Sequence, residues 1–194
     1  MDDLVDQPTR RKILDCVVAH PGTSARDVQR QLGLGWGETA YHLGRLVRGG
    51  ALRKESARHR DYYFPLALTL EDRTLIRALR SPTEHAILTL LLRRPALSLA
   101  ELLEELRVGR SATYFHLKQL VGAGVIEDVY AGTAREYRVR RPERLRELLG
   151  VYRESWEGRL VDRFAASFGG MMPGAQGSGA SPSSDHEPST RPGQ

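Results

Sequence analysis

The amino-acid sequence predicts a mainly α protein with small β-hairpin wings, built as two tandem units of one fold and followed by a C-terminal helix. Three observations predict it. A segment near the N-terminus recurs further along without a gap, each copy holds three helical apolar patterns punctuated by glycine, and each copy ends in two short strand-like runs around a turn.

The repeat comes first because it organises everything else. Ile13-Leu14 returns as Ile87-Leu88, 74 positions on, and the same step takes Pro21 to Pro95, Ser24 to Ser98, Leu32 to Leu106 and Thr39 to Thr113. It also takes Tyr41-His42-Leu43 to Phe115-His116-Leu117, Leu46-Val47 to Leu120-Val121, Gly50 to Gly124, Leu52 to Ile126 and Tyr63 to Tyr137. An ungapped register that preserves apolar, glycine and proline positions from Ile13 to Tyr63 implies two copies of one fold.

In the first unit, residues 9–19 set Ile13, Leu14, Val17 and Val18 at helical spacing, and Pro21-Gly22 ends the run. Ser24 then stands as an N-cap with Asp27 three residues on, Val28 and Leu32 form an apolar stripe, and Gly33 stops the second helix. After Gly33-Leu34-Gly35, a third helix over 36–48 turns Thr39, Leu43, Leu46 and Val47 inward. It closes at Gly49-Gly50, where glycine readily adopts the left-handed cap conformation. Residues 51–55 and 61–64 read as short strands around a loop carrying Arg58, His59 and Arg60. The second unit repeats the plan, with helices near 83–93, 98–106 and 110–121, strands at 125–130 and 135–140, and a turn at Ala131-Gly132-Thr133.

Composition narrows the class. Hydrophobic residues at 40% and charged residues at 27% are those of an ordinary globular protein. No stretch approaches the roughly 18 apolar residues of a membrane span, and Met1-Asp2-Asp3 lacks the basic-then-apolar order of a secretory signal, so no membrane partner and a cytoplasmic, nucleoid-associated location are expected. The single cysteine, Cys16, has no disulfide partner and no companion for a structural zinc site; its apolar helical surroundings read as a small core side chain rather than a redox sensor. The net charge of +5 is carried largely by arginine, which suits bidentate contact with phosphate or guanine.

Two short helices joined by a tight glycine turn and followed by a basic hairpin form the plan of a winged helix-turn-helix, in which the second helix of the pair enters the major groove and the hairpin lies along the backbone. The residues that carry a family likeness are Ala19-His20-Pro21-Gly22 before the motif, Gly37-Glu38-Thr39-Ala40-Tyr41-His42-Leu43 in the third helix, and Gly49-Gly50-Ala51-Leu52 after it. On these, residues 9–141 resemble winged helix-turn-helix regulators of the ArsR/MarR-like kind, and in particular the tandem regulators frequent in archaea. Many such regulators carry metal-binding cysteine and histidine clusters; this chain carries neither, so the likeness does not extend to metal sensing, and no metal or other cofactor is expected.

The resemblance implies double-stranded DNA as partner. With the third helix in the groove, the outward positions are Trp36, Gly37, Glu38, Ala40, Tyr41 and, a turn later, Arg45; in the second unit they are Arg110, Ser111, Ala112, Tyr114, Phe115 and Lys118. Arg45 and Arg110 are the candidates for guanine or phosphate, and Tyr41 carries a hydroxyl for phosphate. The wing candidates are Arg58, His59 and Arg60, then Thr133 and Arg135. An exposed helical arginine is also, commonly, a solvated charge. His42 and His116 recur in both units and read as packing against the second helix or touching phosphate, not as catalytic bases. The units differ in charge: the second helix of the first carries Arg26 and Arg30, its counterpart Glu101, Glu104 and Glu105, which points to weaker DNA binding by the second unit or to a partner there.

Between the units, residues 66–80 read as a helix capped at Thr69, with Leu70, Leu75, Ile76 and Leu79 as its apolar set. After Pro142, residues 143–168 form an amphipathic pattern through Leu145, Leu149, Tyr152 and Trp156, extended by Leu160 and Phe164. Packing on the second unit and pairing with a second protomer both cover this stripe; a homodimer is the expectation, because the class usually binds palindromic sites as dimers. From Gly169 the chain is Gly, Ser, Pro and scattered charge, the composition of a disordered tail. The chain thus divides into 1–66, a connector 67–80, a second unit 81–141, a helix 142–168 and a tail 169–194. The function expected is DNA-binding transcription regulation, with a non-catalytic assembly module that binds protein partners as the alternative. No Gly-rich phosphate loop, metal-ligand cluster or nucleophile with a paired base supports an enzyme.

Overall fold

The structure, a computed structural model, describes residues 7–57, 60–106, 108–132 and 134–153; the expectations for Arg58, His59, Thr133, residues 154–168 of the C-terminal helix and the tail lie outside the described residues. Helix α1 (Pro8–Ala19) opens with proline, whose missing N–H belongs to the unpaired first turn in any case, and buries Ile13, Cys16 and Val17. Helix α2 (Ala25–Leu32) is started by the reciprocal capping of Ser24 and Asp27 and stopped by Gly33 at φ +66°. Helix α3 (Trp36–Arg48) buries Thr39, His42, Leu43 and Leu46. Strands β1 (Leu52–Ala57) and β2 (Arg60–Pro65) pair antiparallel from Leu52 opposite Pro65 to Ala57 opposite Arg60.

Helix α4 (Leu70–Leu79) repeats the capping device with Thr69 and Asp72. The second unit follows as α5 (Pro82–Arg93), β3 (Leu97–Ser98), α6 (Leu99–Leu106), α7 (Arg110–Gly122), β4 (Ile126–Ala131) and β5 (Ala134–Val139), and the last described element is α8 (Pro142–Val151).

Strand β3 is not foreseen by the sequence reading, which starts a helix at Ser98. Leu97 and Ser98 instead pair with Tyr137 and Glu136, making a three-stranded sheet of order β3-β5-β4. Ser98 still caps α6 from outside, accepting from the Glu101 backbone N–H at 3.4 Å while Glu101 accepts from the Ser98 N–H at 2.8 Å. The first unit makes the same contact as a single bridge between Thr23 and Tyr63, with Gly22 N–H donating to the Tyr63 carbonyl at 2.8 Å. Two residues are too short to show a period, so the strand is invisible to patterning.

Two cores result. The first collects Ile13, Val17, Val28, Leu43, Leu46 and Leu52. The second joins α4 (Leu75, Ile76, Leu79) to Leu88, Leu102, Leu117, Ile126 and Tyr137 of the second unit, to Leu145 and Leu148 of α8, and to Phe64 at the end of β2. The stretch expected as a separate connector therefore shares one apolar cluster with the second unit. One member of its expected apolar set, Leu70, is 68% exposed, because it occupies the first turn of α4, ahead of the buried face. The amphipathic stripe is covered within the chain as far as it is described: Leu145 and Leu148 are buried, and Leu149 and Tyr152 pack beside them.

Polar contacts tie α4 to its surroundings. Arg80 donates to the carbonyls of His20 and Pro21, and Arg73 pairs with Glu55 of β1. Buried Asp72 accepts from Arg144 of α8 at 2.7 Å.

Candidate nucleic-acid interface

Burial of Thr39, Leu43 and Leu46 orients α3 so that its far side is open. Thr39 Oγ1 donates to the Gly35 carbonyl at 2.9 Å, which holds the first turn in place. At 100° per residue, Trp36, Ala40, Gly44 and Arg48 then run down one flank, and Glu38, Tyr41 and Arg45 down the other. Trp36 and Tyr41 are more than half exposed, although both are large and partly apolar.

The first flank forms one wall of a groove of about 890 Å³, with α2 and the β1–β2 hairpin completing it; Arg26, Arg30, Arg48, Lys54 and Arg60 line it. Asp27 and Asp61 also line it, and both are engaged: Asp27 caps Ser24 and pairs with Arg30 at 2.8 Å, and Asp61 accepts from Ser56 and from Lys54 at 3.1 Å. The hydrogen bond from Ser56, reinforced by that from Lys54, holds the Asp61 carboxyl below the usual carboxylate range. Among the described residues, Arg26, Arg45, Arg48 and Arg60 form no ion pair, so their charge faces solvent unneutralised.

Of the candidates named from sequence, Trp36, Ala40 and Arg60 meet in this groove, while Glu38, Tyr41 and Arg45 share the opposite flank of α3. Sequence reasoning left out Arg48 and Lys54. The signal for Arg48 was available, since it continues the four-residue spacing of Trp36, Ala40 and Gly44. Lys54 required the strand register, which sets it opposite Tyr63. His42 is buried, edge-on to Tyr41, which matches a packing role rather than a phosphate contact.

In the second unit, α7 exposes Arg110, Ser111, Ala112, Tyr114, Phe115 and Lys118 and buries Thr113, Leu117 and Leu120. Lys118 Nζ sits 5.9 Å from the centre of the Tyr114 ring. His116 Nδ1 lies 3.1 Å from Oε1 of buried Glu84 on α5. The surrounding arginines are neutralised in place: Arg94 by Glu101 and Glu105, Arg135 by Asp128, Arg138 by Glu136 and Arg140 by Glu127. The sequence-level contrast between the two second helices thus extends to the hairpins.

Residues 7–76 match a family described as an N-terminal HTH domain, and residues 79–129 match a helix-turn-helix domain family. With the hairpin after each helix pair, that decides the architecture. The chain carries two winged helix-turn-helix domains in tandem. A curated relative, an uncharacterized HTH-type transcriptional regulator of Methanocaldococcus jannaschii, is 24% identical over 124 residues, which cover 64% of this chain and 31% of the relative. The chain thus spans about a third of that protein's length. Among solved structures, M. tuberculosis Rv0081 is 33% identical with a TM-score of 0.38, covering 47% of this chain and 90% of its own. A predicted DNA-binding transcriptional regulator from E. coli is 26% identical with a TM-score of 0.33, covering 41% and 81%. No helix among the described residues of the two winged-helix domains, or of α8, is long and apolar enough to cross a membrane.

Proposed function

We propose that the protein is a DNA-binding transcription regulator of the cytoplasm, associated with the nucleoid, that reads duplex DNA with α3 in the major groove and its hairpin on the phosphate backbone. The observation that carries this reading is the groove of the first domain, where, among the described residues, Arg26, Arg48 and Arg60 are without ion pairs and the two acids that line it, Asp27 and Asp61, are engaged. A duplex presents one negative charge per about 1.7 Å of axis, and cations not already neutralised within the protein are the ones that release counterions on binding. Base reading falls to the exposed flank of α3, with Arg45 for guanine, Tyr41 for phosphate, and Trp36, Glu38 and Ala40 beside them. In the second domain Arg110, Ser111, Tyr114, Phe115 and Lys118 occupy the corresponding face, and Arg135 the wing. The reading includes a homodimer on a palindromic site, with Val151, 73% exposed at the end of α8, as part of the surface available to it.

A second reading, a non-catalytic module that binds protein partners, has one observation in its favour: Arg94, Arg135, Arg138 and Arg140 of the second domain are paired internally while Phe115 and Tyr130 stand exposed. Selection of bound sequences from a random DNA pool distinguishes the two. The regulator reading expects a motif to emerge, and expects Arg45→Ala and Arg110→Ala to weaken binding or relax the motif. Absence of any motif, with both variants binding like the parent at low salt, leaves the assembly reading in its place.

A further inference from the structure

The groove of the first domain does not end at the hairpin. Asp27 and Arg60 also line a smaller concavity of about 250 Å³ that reaches Arg77 and Arg80 of the connector. That concavity in turn shares Ala57, Arg77 and Glu84 with a third, of about 460 Å³, whose far wall is Lys118 and Gly122 of α7. The three form one chain of hollows from the recognition helix of the first domain, past its wing and under α4, to the recognition helix of the second.

Cations outnumber acids along this path, and Asp27 and Asp61 are engaged by Arg30 and Lys54. Arg60, Arg77 and Lys118 follow Arg48 and Lys54. Glu84, the added acid, has only 5% of its side chain exposed and is held by His116. Arg77 leans on Glu55 at a distance of 3.8 Å, but Glu55 is already paired with Arg73, so one carboxylate faces two guanidinium groups and the charge of Arg77 is not cancelled; a third of its side chain is exposed. The path is also rigid at its middle, because α4 is packed in the second core and anchored by Arg80 and Arg73 to the first domain.

We propose that Arg77 of the connector and Lys118 of α7 extend the first domain's groove into a single phosphate track, so that one chain holds an unbroken stretch of duplex DNA across both domains. This rests on the reading of the first domain as a DNA reader and adds to it a role for the connector, which neither the helix-turn-helix plan nor the wings contain. A row of cations along linked hollows matches duplex DNA by charge, and its sequence-independent contacts fix register rather than specificity.

The test uses the full chain and a duplex of about 40 base pairs, several times the roughly 10-base-pair turn that separates neighbouring half-sites. The slope of log affinity against log salt is measured for the parent, Arg77→Gln and Lys118→Ala. Each variant is expected to lower the slope by about 0.9 for each phosphate it no longer neutralises, and to weaken binding equally on selected and unselected sequences. Hydroxyl-radical footprinting on a selected site is expected to show continuous backbone protection between the two reading positions. Should Arg77→Gln prove less stable, the footprint decides, because Lys118 already lies on the DNA-facing side of α7 in the proposed function. If the parent binds but both slopes are unchanged, or two protected blocks flank an open stretch, the track is wrong while the DNA-reading function stands. If the parent binds no duplex at all, both fall.

Discussion

The guanidinium of Arg80 grips the carbonyl oxygen of Pro21 with two donors, Nε at 3.0 Å and Nη2 at 2.6 Å. The same Nη2 reaches the His20 carbonyl at 2.7 Å, so one side chain at the end of α4 satisfies the backbone where α1 ends. Arg80→Met is expected to cost about 1–3 kcal/mol by leaving part-buried carbonyls short of donors. Arg80→Lys should recover only part of this, because an ammonium cannot fork. Denaturant melts of the three proteins check both statements.

Gly22 sits where the two domains touch. Its φ is +71°, and a Cβ there would stand 3.1 Å from both Ile76 Cγ2 and Phe64 Cε1. Gly50 has a similar φ of +72° but open space around it. Gly50→Ala is therefore expected to cost about 1–2 kcal/mol of backbone strain alone. Gly22→Ala adds about 1–3 kcal/mol of overpacking. Equal losses in thermal melts would contradict the close packing of Phe64 on α4.

Asp72 gives the fold an acid-sensitive joint. The hydrogen bond from Arg144, helped by its cap to Thr69 and opposed by burial, holds its carboxyl below the usual carboxylate range. A carboxyl depressed in the folded state adds stability that is full above its unfolded value and is lost as pH falls through the folded one. Asp72→Asn should lower stability at pH 7 by about 1–3 kcal/mol. It should also flatten the loss of stability below about pH 4. A variant with an unchanged acid limb would refute the assignment.

Cys16 donates to Gln31 Oε1 at 3.3 Å, and burial pushes its thiol up to about 11. At pH 7 only about one molecule in ten thousand carries the thiolate, which is the reactive form. A thiol reagent is expected to label the native chain very slowly and the denatured chain at the rate of a free cysteine. Rapid native labelling would revive the redox-sensor role that the apolar helical surroundings of Cys16 argue against.

The charge asymmetry between the domains predicts unequal effects of removing arginine. Arg48→Ala, in the open groove, should reduce the salt slope of DNA binding by about 0.9. Arg138→Ala, whose partner Glu136 lies 3.5 Å away, should leave the slope unchanged. Equal effects would mean that Arg138 meets phosphate despite its ion pair.

Much of the fold is legible in short windows of sequence. The helices, the Ser24 and Thr69 caps and the glycine stops all depend on residues within a turn or two of each other, and local chemistry encodes them directly; the duplication is legible because that local pattern returns 74 positions on. The exposed face of α3 was legible for the same reason, since inward apolar positions define an outward flank. Strand β3 was not, because its only signature is a partner about forty positions away in β5.

Availability of charge was beyond the sequence altogether. Arg135 and Arg60 look alike as wing arginines, yet Asp128 holds the first and no described residue pairs with the second. Arg144 and Asp72 stand 72 residues apart in the chain and 2.7 Å apart in space. The sequence by itself determined two copies of one helix-turn-helix plan, because periodicity, capping and turn chemistry act locally. Only the tertiary structure decided which cations remain free, how α4 joins the second core and where the grooves run together, because each of those depends on side chains brought into contact from distant parts of the chain.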